Sequence, residues 1–129
     1  MDANTLERHA ASRTDEERVL SDAVAKIAGN WKLTNEELGR IIGISTTSAQ
    51  RLKKGALKLE RGKKDFELGQ YLLRLFRSLD SIMGSDDAAS ISWLKAHNRD
   101  LQSSPLELLF TISGLIRVAD YVDGYRAKV

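Results

Sequence analysis

The pattern of apolar and polar residues is clearest in the segment Leu33–Gly55, where it predicts two short helices joined by a tight turn. Thr34 and Glu37 have the spacing of a capping box, in which each side chain bonds the other residue's backbone amide. Gly43 suits the left-handed conformation that ends many helices, and Ser45 can cap the helix that follows. The predicted inward positions are Leu38, Ile41, Ile42, Ala49 and Leu52. This segment predicts a helix-turn-helix, although an ordinary helical hairpin would share part of the pattern.

Apolar residues recur at helical spacing in most of the remaining chain. Residues 1–13 lack such periodicity and are predicted to form a flexible arm, after which Thr14 and Glu17 open a helix to about Asn30. Further helices are predicted over residues 65–83, 86–97 and 106–122. Because no segment alternates between apolar and polar residues as a strand does, the chain is predicted to be all-α.

A basic connector, Lys58–Lys64, separates two groups of predicted helices. We predict a helix-turn-helix DNA-binding domain over residues 14–64 and a small helical domain over residues 65–129. The 65–83 helix has more apolar positions than one buried face needs. Leu72, Leu73, Leu75 and Phe76 cover adjacent directions around this helix. Part of this surplus is expected to contact a second subunit, which predicts a homodimer.

Composition excludes several classes of protein. The chain has 129 residues, 42% of them hydrophobic, and no cysteine. Disulfides and thiolate metal sites are therefore excluded, and the reducing cytoplasm is the expected location. No apolar run approaches the roughly 18 residues of a membrane helix, so no membrane association is predicted.

The sequence contains no convincing catalytic or metal-binding constellation. His9 and His97 stand alone, without the spacing of a histidine metal motif. Asp86 and Asp87 form a carboxylate pair, but a helix start explains them better as capping residues. We therefore predict that the protein is not an enzyme and needs no cofactor.

Charge is concentrated beside the predicted helix-turn-helix. The net charge is only +2, but residues 51–64 contain seven basic residues and one acidic residue, a local charge of +6. On the second helix, Thr46, Thr47 and Arg51 would lie on the face that enters a DNA major groove, where Arg favours guanine. The sequence therefore predicts specific binding to operator DNA.

Other residues of the motif are candidates for contacts with the DNA backbone. Asn35 begins the first helix, where it could hold a phosphate together with the amides of the helix N-terminus. Gln50, Lys53 and Lys54 would add backbone contacts or, alternatively, form an ordinary solvated surface.

The C-terminal half carries a family resemblance in an ordered set of residues. These are Trp93-Leu94, Asn98, Ser104–Leu109, Gly114-Leu115, Val118 and Gly124. The set resembles the toxin-binding domain of the Xre/MbcA/ParS antitoxin family, and the N-terminal motif resembles the Cro/C1-like helix-turn-helix that precedes it there. In this family the turn before Pro105 usually holds glycine, whereas here it is Leu101–Ser104.

The resemblance implies an antitoxin of a type II toxin–antitoxin system. Its partner would be a NAD-degrading RES-type toxin or a related ADP-ribosyl-transferring enzyme, and it would repress its own operon. The alternative is a stand-alone repressor whose C-terminal half only dimerises.

The last residues are candidates for toxin binding. Gly124 is predicted to end the last helix and release a tail that carries Tyr125, Arg126, Lys128 and the terminal carboxylate of Val129. By likeness to the family, this tail would enter the toxin's NAD site, with Tyr125 in an apolar slot and the carboxylate at an anion position. Alternatively, the tail is disordered and the helix faces around Trp93 and Leu109 bind the toxin.

Overall fold

A computed structural model describes residues 2–128, except the side chains of residues 9–11. The described chain contains seven helices and no strand, which confirms the all-α prediction. They are α1 (Ala3–Asn30), α2 (Asn35–Ile42), α3 (Thr46–Lys53), α4 (Lys64–Ile82), α5 (Asp87–Lys95), α6 (Pro105–Leu108) and α7 (Ile112–Lys128). None of these helices has both the length and the apolar character needed to cross a membrane.

Helix α4 is the centre of the fold, because it contacts α1, α2, α5 and α7. Leu72, Leu75 and Leu79 on α4 are almost completely buried. The buried side chains form one hydrophobic cluster that runs from Leu20 of α1 to Val122 of α7. The helix-turn-helix and the C-terminal helices therefore share a core, and burial of this common apolar surface stabilises both.

The apolar surplus of α4 is largely used within the chain. Leu72 and Leu75 are buried, and Leu73 and Phe76 are half-buried against the core. The Phe76 ring lies 5.4 Å from the Trp31 ring of α1, centroid to centroid. The homodimer stays a prediction, and of these four residues only Leu73 and Phe76 keep part of their surface open for a second subunit.

Helix α1 starts earlier than the sequence pattern predicts. The Asp2 carboxylate accepts the Thr5 amide at 2.8 Å and caps a helix that begins at Ala3, so the predicted start at Thr14 is wrong and most of the predicted arm, residues 1–13, is helical. Residues 12–16 are all exposed. Since five consecutive residues cover more than one helical turn, this part of α1 buries no face, although Glu16 still pairs with Arg61 of the connector.

The last predicted helix is divided in two. A break over residues 109–111 separates α6 from α7, and the Thr111 hydroxyl accepts the Gly114 amide at 3.0 Å. A Cβ at Gly114 would collide with the backbone carbonyl of Leu108, so only glycine fits at this position, where the start of α7 approaches the end of α6. Gly124 does not end α7, which continues to Lys128, because this glycine keeps a helical conformation in open space.

Candidate DNA-binding and toxin-binding sites

The turn between α2 and α3 is built by local hydrogen bonds. The Thr34 hydroxyl accepts the Glu37 amide at 3.0 Å, while a Glu37 carboxylate oxygen accepts the Thr34 amide at 2.8 Å. Gly43 follows α2 with φ of 76° in the left-handed region. The Ser45 hydroxyl then accepts the Ser48 amide at 3.0 Å and caps α3. These features confirm the predicted capping box, turn glycine and second cap.

A second glycine, Gly39, brings α2 close to the turn. A Cβ at this position would lie 2.5 Å from the carbonyl oxygen of Ile44. The sequence interpretation assigned a role only to Gly43, although a glycine inside an otherwise regular amphipathic helix was a visible signal of close packing. Gly39 thus sets the distance between α2 and the segment that leads into α3.

The candidate DNA-contacting residues of α3 share one surface. Thr46, Thr47, Gln50 and Arg51 are exposed on α3, whose inner residues Ala49 and Leu52 are buried. The Arg51 guanidinium donates to the Ala56 carbonyl oxygen at 3.2 Å, a contact that directs it along the chain after α3. Asn35 is half-buried at the first position of α2. The surface is polar and open, as a helix that enters a DNA groove requires.

Lys53 and Lys54 have different environments although they are adjacent. The Lys53 ammonium donates to the Leu33 carbonyl oxygen at 2.6 Å and so ties α3 to the segment between α1 and α2. Lys54 is exposed at the end of α3 and forms no ion pair with a described side chain. Lys54 is therefore the freer cation for a phosphate, while Lys53 is engaged within the protein.

Part of the basic segment is neutralised within the chain. The Arg61 guanidinium pairs with Glu16 at 2.9 Å, and the Arg61 backbone amide donates to Glu17 at 2.9 Å. Lys63 pairs with Glu60 at 3.1 Å. The unpaired cations among the described residues of this segment are Arg51, Lys53, Lys54, Lys58 and Lys64. The available positive charge therefore lies mainly on α3 and at the two ends of the connector.

An aromatic group occupies the C-terminal half. The Trp93 and Tyr121 rings stack at 6.5 Å between centroids, and the Tyr125 ring lies 5.1 Å from that of Tyr121. The Tyr121 hydroxyl donates to the Asp100 carboxylate at 2.7 Å. A hydrogen bond with Tyr125, partial burial and the Asp100 carboxylate raise the pKa of Tyr121 above its usual value.

The end of α7 is anchored to α4 through charged groups. Arg74 donates to Asp123 at 2.6 Å and to Asp120 at 2.8 Å, and the Ser78 hydroxyl donates to Asp123 at 2.5 Å. Partial burial raises the pKa of Asp123, but the bonds from Ser78 and Arg74 outweigh it and hold this pKa below its usual value. The sequence interpretation missed this network, because its members lie more than 40 residues apart.

The predicted toxin-binding residues lie on a helix and not on a released tail. Tyr125 is half exposed, and Arg126 lies near the Ser78 hydroxyl at 3.4 Å. Lys128 is exposed in the last turn of α7, while Val129 lies outside the described residues. The prediction of a tail is wrong because α7 continues through Gly124, so these side chains are presented along its last turns.

A cation–π contact at the surface joins the helix-turn-helix to the C-terminal helices. The guanidinium carbon of Arg40, on α2, lies 3.9 Å from the centroid of the Phe110 ring, in the break between α6 and α7. This is the geometry of a cation–π interaction. The sequence interpretation did not identify this pair, because no local pattern relates residues 70 positions apart.

Comparison with known families agrees with this division of sites. The family model for the antitoxin Xre-like helix-turn-helix domain matches residues 10–74. The family model for the antitoxin Xre/MbcA/ParS C-terminal toxin-binding domain matches residues 78–128. The comparison with curated proteins gave no match. The first match contains α2 and α3, and the second contains the aromatic group and all of α7 that the structure describes. The chain therefore belongs to the Xre-like family of helix-turn-helix antitoxins.

Proposed function

We propose that this antitoxin blocks a NAD-degrading RES-type toxin, or a related ADP-ribosyl-transferring enzyme, and represses its own operon in the cytoplasm. The observation that carries the proposal is the presence of both matched domains on one hydrophobic core. One surface of this core presents an open polar helix, and another presents half-exposed aromatic side chains. Both activities are binding activities, so the protein acts without a cofactor and without catalysis.

The DNA-binding half of the proposal uses the exposed face of α3. Thr46, Thr47 and Arg51 would contact base edges, since their side chains are exposed on one helix. Asn35, at the N-terminus of α2, would hold a phosphate. Backbone contacts would come from Gln50, Lys53 and Lys54. Lys53 would reach a phosphate only by giving up its bond to the Leu33 carbonyl, so we assign it the smallest part.

A homodimer would present two such helices. One helix-turn-helix makes few contacts, and repressors of this kind gain affinity by binding two half-sites about one DNA turn apart. A palindromic operator is therefore the expected ligand. Light scattering that shows a monomer at micromolar concentration, with and without operator DNA, would contradict this part of the proposal.

The toxin-binding half uses the end of α7. Tyr125 is half exposed beside Arg126 and Lys128, and the terminal carboxylate of Val129 would follow them. A site that binds NAD must offer an apolar or aromatic slot next to groups that pair with phosphate. Tyr125 would fill the slot and the carboxylate would occupy an anion position. The blocking element is thus proposed to be a helix end.

Deletion of residues 125–129 tests this assignment. The truncated and full-length proteins would each be expressed with the toxin encoded by the neighbouring gene, and cellular NAD and operator binding would be measured. We expect the truncated protein to bind its operator but to leave NAD unprotected. If NAD stays protected, the end of α7 is not the blocking element. If the toxin alone does not lower NAD, the RES-type assignment is wrong. If the full-length antitoxin and the toxin do not co-purify, the protein is a stand-alone repressor.

A further inference from the structure

An apolar pocket is enclosed by three parts of the chain: the end of α4, the end of α7 and Trp93 of α5. Its volume is about 310 Å³. Leu79 and Val122 line it and are almost completely buried, and the stacked pair Trp93 and Tyr121 forms an aromatic side. Because the core residues fix these side chains, the pocket is preformed in the free protein.

The rim of this pocket is also apolar, and it is exposed. Ile82, the last residue of α4, is 38% exposed, and Tyr125 is 49% exposed. Both line the pocket. Large apolar side chains that surround an apolar pocket leave surface in contact with water, and their burial by a partner would be favourable. This arrangement is typical of a pocket that receives an anchor side chain at a protein interface.

A polar group lies beside the apolar pocket. Asn98 lines it, and Asp100 is exposed next to Tyr121. The Asp100 carboxylate accepts the Tyr121 hydroxyl and forms no ion pair with a described side chain. A carboxylate has further acceptor positions, so it can bind a cationic or N–H donor next to whatever enters the pocket.

Building on the proposed function, we propose that this pocket is an anchor site for the toxin next to the blocking end of α7, with Tyr125 as a wall that the two sites share. An aliphatic or aromatic side chain on the toxin surface enters between Trp93 and Tyr125, and a neighbouring Arg or Lys of the toxin pairs with Asp100. The pocket-lining residues span positions 79–125, entirely within the matched toxin-binding domain at 78–128, which favours the toxin over other partners.

The test compares two isoleucines that differ in position. Ile82→Gln places a polar group on the pocket rim, and Ile112→Gln makes the same change at the start of α7, where Ile112 is 53% exposed and does not line the pocket. Both residues are exposed, so both variants should fold. The purified toxin encoded by the neighbouring gene is the probe, and its affinity is measured by calorimetry together with operator binding. We expect Ile82→Gln to weaken toxin binding by about tenfold or more, and Ile112→Gln to leave it unchanged.

A spectroscopic measurement supports the same test. Trp93 lines the pocket, whereas Trp31 is only 2% exposed. The toxin should therefore shield Trp93 from iodide quenching, measured in a complex with a toxin variant in which tryptophan is replaced by phenylalanine. Asp100→Asn should weaken toxin binding less than Ile82→Gln does. It should also reduce the salt dependence of toxin binding.

The outcomes separate this proposal from the broader function. If the unmodified antitoxin does not bind the toxin, the proposed function fails. If it binds and Ile82→Gln binds equally well, the pocket is not an anchor site, although the antitoxin function stands. If Ile82→Gln instead abolishes self-association and leaves toxin binding unchanged, the occupant is a second copy and the proposal is overturned.

Discussion

The helix ends in the helix-turn-helix and in the C-terminal region are defined by different interactions. In the first region, the Thr34–Glu37 capping box and the left-handed Gly43 define the ends of α2 within a few residues. In the second region, Thr111 caps the start of α7 locally, but the break between α6 and α7 also depends on the close approach of Gly114 to the Leu108 carbonyl. Local hydrogen bonds are encoded by residue type and spacing, whereas a close crossing depends on how the chain packs. The two regions therefore differ in how much of their structure a sequence pattern can predict.

They also differ in their use of charge. Arg51 and Lys53 of α3 form no ion pair with a described side chain, while Arg74 on α4 is bonded to two carboxylates of α7. The first arrangement leaves positive charge available for phosphate but adds little stabilisation within the chain. The second holds α7 on the protein core. Exposed ion pairs contribute little individually, but the two Arg74 pairs share one guanidinium and the buried Ser78 also donates to Asp123, which makes a network.

The largest expected effect concerns the two glycines of α7. Gly114→Ala should lower the free energy of unfolding by more than about 3 kcal/mol, because its Cβ would collide with a backbone carbonyl that cannot move aside. Gly124→Ala is the matched control and should raise this free energy by about 0.5–1 kcal/mol, since it adds a helix-favouring residue in open space. Urea unfolding measures both. A loss of stability in Gly124→Ala would indicate that α7 ends there, as the sequence pattern predicted.

The next effect concerns the exposed face of α3. Arg51→Ala should weaken operator binding by about 1–3 kcal/mol and relax the preference at one base pair. Lys54→Ala should weaken binding to all sequences and reduce the salt slope by about one unit. Fluorescence anisotropy with operator and random duplexes at several salt concentrations distinguishes these outcomes. An equal loss on both duplexes for Arg51→Ala would contradict its role in reading bases.

A smaller effect distinguishes the neighbouring lysines. Lys53→Met should lower the free energy of unfolding by about 1 kcal/mol, because it removes the ammonium bond to the Leu33 carbonyl but keeps the aliphatic stem. Lys54→Met should change it by less than about 0.5 kcal/mol. Thermal unfolding at low salt provides the comparison. Equal stability of the two variants would show that the Lys53 bond is not maintained in solution.

The smallest predicted effect lies in the turn before Pro105. Gln102 has φ of 57°, a left-handed conformation that a side chain disfavours. Gln102→Gly should therefore raise the free energy of unfolding by about 0.5–1 kcal/mol, after allowing for the greater freedom of glycine in the unfolded chain. Denaturant titration measures the change, and a destabilised variant would contradict the assigned strain.

The helix-turn-helix could be predicted from sequence because its determinants are local. Thr34, Glu37 and Gly43 identified the ends of α2, and the burial of Ala49 and Leu52 followed from helical spacing. The extension of α1 to Ala3 was missed, because the sequence before Thr14 has no apolar stripe, although Asp2 caps the helix.

The candidate sites were predictable to different degrees for the same reason. The exposed residues of α3 followed from the helical pattern, but the engagement of Lys53 by a carbonyl 20 residues away did not. Likewise, the aromatic pocket combines residues from α4, α5 and α7, which no sequence spacing relates. The glycine at position 124 resembled a helix stop, but it lies inside α7 without the left-handed φ of 76° that Gly43 has.

The position of α4 has a consequence for how the antitoxin would be removed. Since α4 packs against both α1–α2 and α7, loss of the C-terminal helices would expose the apolar residues that support the DNA-binding region. We expect the chain to unfold in a single cooperative transition. Under the proposed function, a protease that captures the unfolded chain would remove DNA binding and toxin binding in one event, and the loss of repression would start synthesis of new antitoxin.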